Sequence, residues 1–204
     1  GSAFRLDSYI TKNGGYPVLT VNTYKSPNMG TVSPNADGIY EISTAQDLRK
    51  IAYMLNEQGE TFSGKTVRLM ADIDLQNEEW IPMGGNASED GTSSVLFKGT
   101  FDGNGHTVSN LMISEGNYYV GFFGDLSNAT VQNFGIESGM VTGTGKVGGL
   151  AGTIRGNVTI KNCYNKANVS GKSSTGGIVG MASGSNSTVE NCYNAGSVGG
   201  NSTA

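Results

Sequence analysis

The chain has 204 residues, which suits one domain of ordinary size, and only 15% of them are charged, with a formal net charge of −4. This balance argues against a nucleic-acid binder and against a protein that binds anionic membranes, because both need clustered Lys and Arg. Glycine is unusually frequent, at 32 residues against a usual share of about 7%. With evenly spread apolar residues, it predicts many short strands joined by tight turns. No apolar run could span a bilayer, so we expect no membrane insertion by this segment.

The N-terminal stretch differs in character from the rest of the chain. We interpret residues 1–2 (Gly-Ser) as a cloning scar. Residues 23–36 contain Pro27, Pro34 and several turn formers, so we interpret them as a linker. Residues 37–204 are predicted to form the main domain.

The first predicted element of this domain is a helix over residues 44–57. Ser43 or Thr44 is a suitable N-cap, and Gln46 or Asp47 stands three residues on as a capping box. Apolar residues follow at helical spacing, and Gly59 suits the end of the helix. We predict that this amphipathic helix covers the exposed strand edge at the first coil of the domain, with residues 66–75 and 97–103 as the first coils.

Internal repeats follow the helix at nearly constant spacing. One glycine recurs every 28 residues, at Gly121, Gly149 and Gly177, and so does a second, at Gly124, Gly152 and Gly180. An asparagine recurs every 29 residues, at Asn133, Asn162 and Asn191, and we interpret Asn110 as the same position in an earlier, divergent copy. A period in the twenties indicates one supersecondary unit per repeat, stacked on its neighbours.

Apolar and polar residues alternate within each repeat. The apolar position before the asparagine is taken by Val108, Val131, Ile160 and Val189, and the polar position between them by Ser109, Gln132, Lys161 and Glu190. Period two with β-branched residues indicates strands rather than helices. We therefore predict an all-β fold, a right-handed parallel β-helix with one N-terminal capping helix. Each position should lie about 4.8 Å above its equivalent in the coil below.

This fold assigns a place to each repeated residue. The repeated asparagines should sit at a corner, where asparagine tolerates left-handed backbone and bonds its amide to the amide above. Cys163 and Cys192 should point inward, and Tyr164 and Tyr193 outward in a stack. The motif glycines should open the other corners, where a Cβ would clash.

The residues also resemble a known family, the bacterial surface proteins that carry GLUG-motif repeats. The segment 149–152 (Gly-Leu-Ala-Gly) fits that motif closely, and 177–180 (Gly-Ile-Val-Gly) and 121–124 (Gly-Phe-Phe-Gly) are similar to it. The opening of the domain, with "WIPMGG" and "FKGTFDGNGHTVSNLMI", looks like the usual start of such modules. The resemblance covers roughly residues 38–198. It implies a β-helix on large exported proteins, including adhesin-like proteins and some immunoglobulin A peptidases, in which the repeats are not catalytic. Residues 3–22 resemble the closing segment of such modules, which implies that they are the tail of a preceding unit.

Candidate chemistry is sparse. His106, the one histidine, stands in a glycine turn with no nucleophile motif, which favours a structural role. Asp72, Asp74, Asp102 and Asn104 are oxygen-rich and could ligate calcium, but no full ligand loop is present, so turn and strand-end roles are favoured. We therefore expect no metal and no cofactor.

Two further alternatives concern neighbouring coils. Lys161 and Glu190 are predicted as vertical neighbours in an exposed ion pair, and catalysis by them is disfavoured because acid–base work needs convergent groups in a cleft. Cys163 and Cys192 are favoured as buried thiols that pack as small apolar groups. A vertical disulfide between them is the alternative, because coils about 4.8 Å apart fall within disulfide limits.

Three function hypotheses remain. The first is a non-catalytic extracellular module of a large surface protein, acting as a stalk or a weak binding surface. Its partners would be a host glycan, a host protein or neighbouring domains of the same polypeptide. Its candidate ligand-binding residues are Tyr118, Tyr119, Tyr164 and Tyr193, although stacked tyrosines also stabilise a sheet without any ligand. The second is an accessory domain of a large secreted peptidase, and the third and weakest is a carbohydrate-active β-helix enzyme.

Overall fold

The computed structural model describes residues 29–85, 95–116, 118–184 and 186–200. The interpretations of residues 1–2 and 3–22, and of the first part of the linker, lie outside the described residues. Within them, the chain forms an all-β parallel solenoid of about five turns with a helix near its N-terminal end, which confirms the predicted fold class.

The strands belong to five sheets that run along the solenoid, and every pairing in them is parallel. The first sheet contains, in spatial order, β1 (Ile39–Ile42), β2 (Thr66–Leu69), β4 (Thr100–Asp102), β9 (Thr130–Gln132), β14 (Thr159–Lys161) and β19 (Thr188–Glu190). The second contains β3 (Ile73–Asp74), β5 (Thr107–Ser109), β10 (Gly135–Ile136), β15 (Tyr164–Asn165) and β20 (Tyr193–Asn194).

Three shorter sheets complete each turn. The third contains β6 (Leu111–Gly116), β11 (Gly139–Gly143), β16 (Asn168–Gly171) and β21 (Val198–Gly200). The fourth contains β7 (Tyr119–Val120), β12 (Lys146–Gly148) and β17 (Thr175–Gly176), and the fifth β8 (Phe123–Ser127), β13 (Ala151–Arg155) and β18 (Val179–Ser183).

The register confirms the predicted stacking of successive repeats. Lys161 pairs with Gln132 below it and Glu190 above it, and Tyr164 pairs with Tyr193. Repeated residues are therefore the same position on consecutive coils.

The prediction that Asn110 belongs to the same column as Asn133 is wrong. Asp102 pairs with Gln132, so Gly103 takes the position below Asn133, whereas Val108 pairs with Ile136 on the next sheet. For the same reason, the residues stacked below Val131 and Gln132 are Phe101 and Asp102, and not Val108 and Ser109 as predicted. Two corners of the coil use a left-handed asparagine, with φ 55° at Asn110 and 52° at Asn133. Both corners therefore select the same local sequence pattern, and strand pairing alone distinguishes them.

The helix α1 (Ala45–Gln58) confirms the helix predicted over residues 44–57. Thr44 is its N-cap and accepts a hydrogen bond from the Asp47 backbone N–H at 3.1 Å, while Gly59 ends it in left-handed conformation with φ 73°. Its buried face consists of Leu48, Ile51, Ala52, Met54 and Leu55.

The helix contacts the edge of the coil formed by residues 79–84. Arg49 donates from Nη1 to the Glu79 carbonyl at 2.9 Å, and Asn56 donates to the Pro82 carbonyl at 3.0 Å. The Asn56 carboxamide oxygen also accepts from the Gly84 N–H at 2.8 Å. Because Glu79 and Met83 bridge to Met112 and Phe123 of the coil above, these side-chain bonds satisfy backbone groups at the N-terminal edge of the solenoid.

The first strand was not predicted. The segments expected as first coils do form β2, β3 and β4, but the first sheet begins one strand earlier, with β1. The helix is inserted between β1 and β2, so the repeat period does not extend to β1.

The interior is apolar and strongly aromatic toward the N-terminal end. Trp80 stacks on Phe122 with ring centroids 5.0 Å apart, and Phe101 makes edge contacts with Phe122, Phe123 and Phe134. All five side chains are at most 1% exposed. The core thus runs continuously from the cap helix into the repeats.

Candidate functional site

The motif glycines let neighbouring backbone segments approach closely. A Cβ on Gly152 would lie 2.4 Å from the Val120 nitrogen, and one on Gly124 would lie 2.2 Å from the Gly84 carbonyl oxygen. Gly180 is similarly confined by the Val147 nitrogen at 2.6 Å. The predicted clash is confirmed, but all three glycines lie within strands rather than at corners. Space, rather than backbone conformation, therefore requires glycine here.

The predicted asparagine corner forms a hydrogen-bonded ladder. Asn162 donates from Nδ2 to the Asn133 carboxamide oxygen at 3.1 Å, and Asn191 donates to that of Asn162 at 3.4 Å. Asn133 in turn donates to Asp102 at 3.3 Å. All three asparagines have φ near +50°. Asn162 and Asn191 are exposed, so the ladder lies on the surface.

The outward tyrosines lie where the repeat predicts. The rings of Tyr164 and Tyr193 are stacked at 5.2 Å with an interplanar angle of 11°. Tyr164 also donates its hydroxyl to Glu137 at 2.6 Å, and the Lys166 ammonium pairs with the same carboxylate at 2.6 Å. We call Glu137, Tyr164, Lys166 and Tyr193 the tyrosine face.

The pKa values of Tyr164, Glu137 and Lys166 depend on the contacts among these three side chains. Burial, followed by the hydrogen bond to the Glu137 carboxylate, raises the pKa of Tyr164 to about 12. The hydrogen bond from Lys166, followed by that from Tyr164, lowers the pKa of Glu137, and the same contact with Glu137 raises the pKa of Lys166. At neutral pH the face therefore carries the Glu137 carboxylate, the Lys166 ammonium and the neutral Tyr164 phenol.

The stack restricts what can bind to the rings. A Cβ on Gly135 would lie 2.3 Å from the Tyr164 Cζ atom, so the Tyr164 ring covers Gly135 on one side and Tyr193 on the other. Tyr193 is 53% exposed. Within the described residues, a ligand that stacks on an aromatic ring would therefore contact Tyr193 rather than Tyr164.

The other predicted tyrosines do not join this face. Tyr119 is 8% exposed, with the Arg155 guanidinium 5.0 Å from its ring centre, so its prediction as an outward ligand-binding residue is wrong. Tyr118 is half-buried, and the Lys146 ammonium lies 3.5 Å from its ring centre. A short side chain–side chain contact also joins Lys146 to the Tyr118 hydroxyl. Cationic side chains of the chain itself therefore already contact the rings of Tyr118 and Tyr119.

Sequence reasoning missed Glu137 and Lys166, although a signal was present. They stand 29 residues apart and carry opposite charges, as expected for vertical neighbours on adjacent coils. It also missed the buried Asn165, which pairs with the exposed Asn194 on the next coil. Asn165 is 0% exposed and donates to the Asn194 carboxamide at 2.8 Å and to the Ala167 carbonyl at 2.9 Å.

The candidate acid–base residues are held in structural contacts. The Asp72 carboxylate accepts from the Thr107 N–H at 2.9 Å and lies 3.2 Å from His106 Nδ1; these contacts, in that order, lower the pKa of Asp72. Asp74 accepts from Asn110 at 2.8 Å and from the Gln76 N–H at 2.7 Å. In the described part of the chain, no hydrogen bond joins His106 to a hydroxyl or thiol, the third member of a hydrolytic triad.

Asp102 and the Lys161–Glu190 pair likewise form no cleft. Asp102 pairs with Arg68 at 3.2 Å and accepts from the Asn104 N–H at 3.0 Å. Burial opposes ionisation of Asp102, but these contacts lower its pKa overall. Lys161 and Glu190 are register neighbours, yet no ion pair joins them, which corrects the predicted ion pair. Among the described residues, no three His, Cys, Asp or Glu side chains converge as metal ligands.

The fold and surface define a parallel β-solenoid with an ordered outer face, and known proteins share both its sequence and its shape. The chain is 35% identical over 150 residues to halomucin from Haloquadratum walsbyi. That alignment covers 71% of this chain but 2% of halomucin.

A solved structure from Bacteroides ovatus, described as a "putative immunoglobulin A1 protease", matches with a TM-score of 0.50 and 25% identity. The match covers 82% of this chain and 60% of that one. No protein-family model matches the chain. None of the helices in the described ranges is long and apolar enough to cross a membrane.

Proposed function

We propose that this chain is a non-catalytic extracellular β-helix module of a large surface protein, acting as a stalk or as a weak binding surface. The observation that carries the proposal is the in-register stacking of coils from β1 to β19, closed at the N-terminal edge by α1. Such a stack supplies length and stiffness, and each repeat contacts its neighbours directly.

The comparisons support a place in a much longer protein outside the cell. The chain spans 2% of halomucin, so a unit of this kind is a small part of that polypeptide. The names of the two matched proteins, halomucin and an immunoglobulin A1 protease, are the basis for proposing a place outside the cell. The GLUG-like glycines at Gly149 and Gly177 agree with this class. A Cβ on Gly149 would collide with the Asn165 side chain, and one on Gly177 with the Asn194 side chain.

The non-catalytic part of the proposal rests on how the carboxylates are used. Asp72, Asp74, Asp102 and Glu137 each accept hydrogen bonds from neighbours on adjacent coils and have lowered pKa values. A general acid needs a raised pKa, and a nucleophile or base needs an open position near the substrate. These four carboxylates instead stabilise coil-to-coil contacts.

A second candidate function is an accessory domain of a large secreted peptidase. The favouring observation is the likeness to the Bacteroides ovatus structure over 82% of this chain. In this case the partner would be a catalytic domain on the same polypeptide, positioned by the solenoid.

A glycan array with the purified chain tests the binding half of the proposal. We expect weak binding or none, because one exposed ring face buries little ligand area. Tyr193→Ala should abolish any signal, whereas Tyr53→Ala, at the opposite end of the solenoid, should leave it unchanged. Turnover of any glycan or peptide on a parallel hydrolase panel would contradict the non-catalytic proposal. Binding that survives loss of both Tyr164 and Tyr193 would contradict the tyrosine face.

A further inference from the structure

Cys163 and Cys192 occupy the same corner on the last two described coils. The Tyr193 N–H donates to the Cys163 carbonyl at 3.2 Å, and the residues that follow, Tyr164 and Tyr193, are register partners. Both cysteines are free thiols in the structure. The two cysteines are therefore direct vertical neighbours.

Their side chains also point the same way. The Cys163 thiol lies 3.2 Å from the Lys161 carbonyl oxygen and 3.8 Å from that of Val131. The Cys192 thiol makes the equivalent contacts, 3.1 Å from the Glu190 carbonyl oxygen and 3.7 Å from that of Ile160. One thiol thus stands directly above the other inside the same wall.

We propose that Cys163 and Cys192 are an oxidation site, at which an intramolecular disulfide links the last two described coils. Parallel neighbours lie about 4.8 Å apart, inside the range of about 4.4–6.8 Å that disulfides span between Cα atoms. Rotation of the two side chains toward each other would bring the sulfurs together.

The last coil is where such a bond has most effect. Val189 and Val198 are each 47% exposed, whereas their equivalents one coil below, Ile160 and Val169, are 0% and 2% exposed. Among the described residues, this coil is therefore less buried than the coil below it, and we expect it to open more readily. A disulfide at Cys163 and Cys192 closes one complete coil into a covalent ring, which restricts the unfolded chain.

The chemistry needs an external oxidant, and a small-molecule or protein disulfide supplies it. Cys192 is half-buried, so its thiolate attacks the oxidant first, forms a mixed disulfide and releases one thiolate of the oxidant. Cys163 then loses its proton to solvent and attacks the Cys192 sulfur, which releases the second thiolate. Two thiols are oxidised and one external disulfide is reduced.

The second step should be slow at neutral pH. Burial, as the largest cause, raises the pKa of Cys163 to about 12, so few molecules carry its thiolate. Because the thiolate fraction rises about tenfold per pH unit below the pKa, ring closure should accelerate with pH to a similar degree.

Oxidation of the purified chain with glutathione disulfide, followed by intact mass spectrometry, tests the proposal independently of any binding or surface role. We expect a loss of about 2 Da in the wild-type chain, restored by a phosphine reductant. The thermal midpoint should rise on the order of 5–10 °C on oxidation. The matched control is Cys163→Ala, which should instead keep one glutathione adduct on Cys192.

Three results would count against the proposed disulfide. A chain that keeps two free thiols, under conditions in which Cys163→Ala accepts glutathione, would overturn the proposal. An adduct that persists on the wild-type Cys192 at pH 9 without ring closure would overturn it as well. A disulfide that forms without raising the thermal midpoint would contradict its role at the last coil.

Discussion

The exposed asparagine ladder stabilises the corner in two separable ways. Asn162 holds φ 54°, a conformation that other L-residues adopt at a cost of about 1–2 kcal/mol. It also links Asn133 and Asn191 through its carboxamide. Because its side chain is exposed, we expect the hydrogen bonds to contribute less than buried ones would.

The first prediction separates the two contributions. Asn162→Ala should lower the free energy of unfolding by about 1–2 kcal/mol, because it loses both the left-handed preference and the ladder bonds. Asn162→Gly keeps the backbone preference and should lower it by less. Urea unfolding of the three proteins measures this. Equal losses for Ala and Gly would contradict the role given to the backbone conformation.

The buried asparagine should matter more. In Asn165→Val the N–H and carbonyl of Ala167 lose their side-chain partner inside the wall, so we expect a loss of about 2–4 kcal/mol. Asn194→Val, the equivalent change on the exposed last coil, is the control and should cost clearly less. If the two variants unfold at the same urea concentration, the burial argument fails.

Tyr164 should make stability fall in alkaline solution. Its pKa is raised to about 12 in the folded chain against a usual value of about 10, so the unfolded state loses its proton first as pH rises. The stabilisation is complete below pH 10 and is lost between about pH 10 and 12. Thermal midpoints measured across this range should fall less steeply for Tyr164→Phe. An unchanged slope would contradict the raised pKa of Tyr164.

The position of a single residue on the coil can be predicted from the sequence where successive repeats carry the same residue. The prediction fails where the same residue type recurs at a different position of the coil. Asn162 and Tyr164 could be placed because neighbouring coils repeat them. Asn110 could not, since its corner needs the same left-handed asparagine as Asn133. Tyr119 looks like an outward tyrosine in the sequence, but its burial depends on packing with Arg155.

Among the elements, α1 ends the solenoid. The Asn56 carboxamide satisfies two backbone groups at the N-terminal edge, the Pro82 carbonyl and the Gly84 N–H. A strand edge left with unpaired groups is a site for association with other chains. The helix therefore protects this part of the edge, residues 79–84, from edge-to-edge pairing.

Asn56→Ala tests this protection. We expect it to lower the free energy of unfolding by about 1–3 kcal/mol, because two partly buried backbone groups lose their partner, and to increase self-association seen by light scattering. Gln46→Ala, an exposed position on the same helix, is the control and should change neither property. A variant at Asn56 as stable and as monodisperse as Gln46→Ala would contradict the capping role.

The helix itself was predictable from Thr44, Gly59 and its apolar spacing, whereas β1 was not. Tyr40 and Ile42 alternate with Glu41 as in a strand, but a four-residue alternation is too short to distinguish from a loop without a repeat partner. The partner, β2, lies beyond the whole helix in the sequence.

The whole molecule is a stack of coils, so residues one repeat apart in the sequence lie one coil apart along the solenoid. One column on the first sheet contains Glu41, Arg68, Asp102, Gln132, Lys161 and Glu190, one residue per coil. The repeat period made the later coils predictable, since their sequences are nearly copies. The earlier coils carry insertions, so pairing of the whole chain sets their register.

Distances along this column test the stacking most directly. Spin labels would be attached to cysteines in a Cys163→Ala, Cys192→Ala background, with Glu41→Cys as the common position. The second label would be placed at Gln132, Lys161 or Glu190. The backbone separations are expected to be about 14, 19 and 24 Å. The label-to-label distances from double electron–electron resonance should follow them, increasing by about 4.8 Å per coil. Separations that do not increase by one coil spacing at each step would contradict the stacked-coil account.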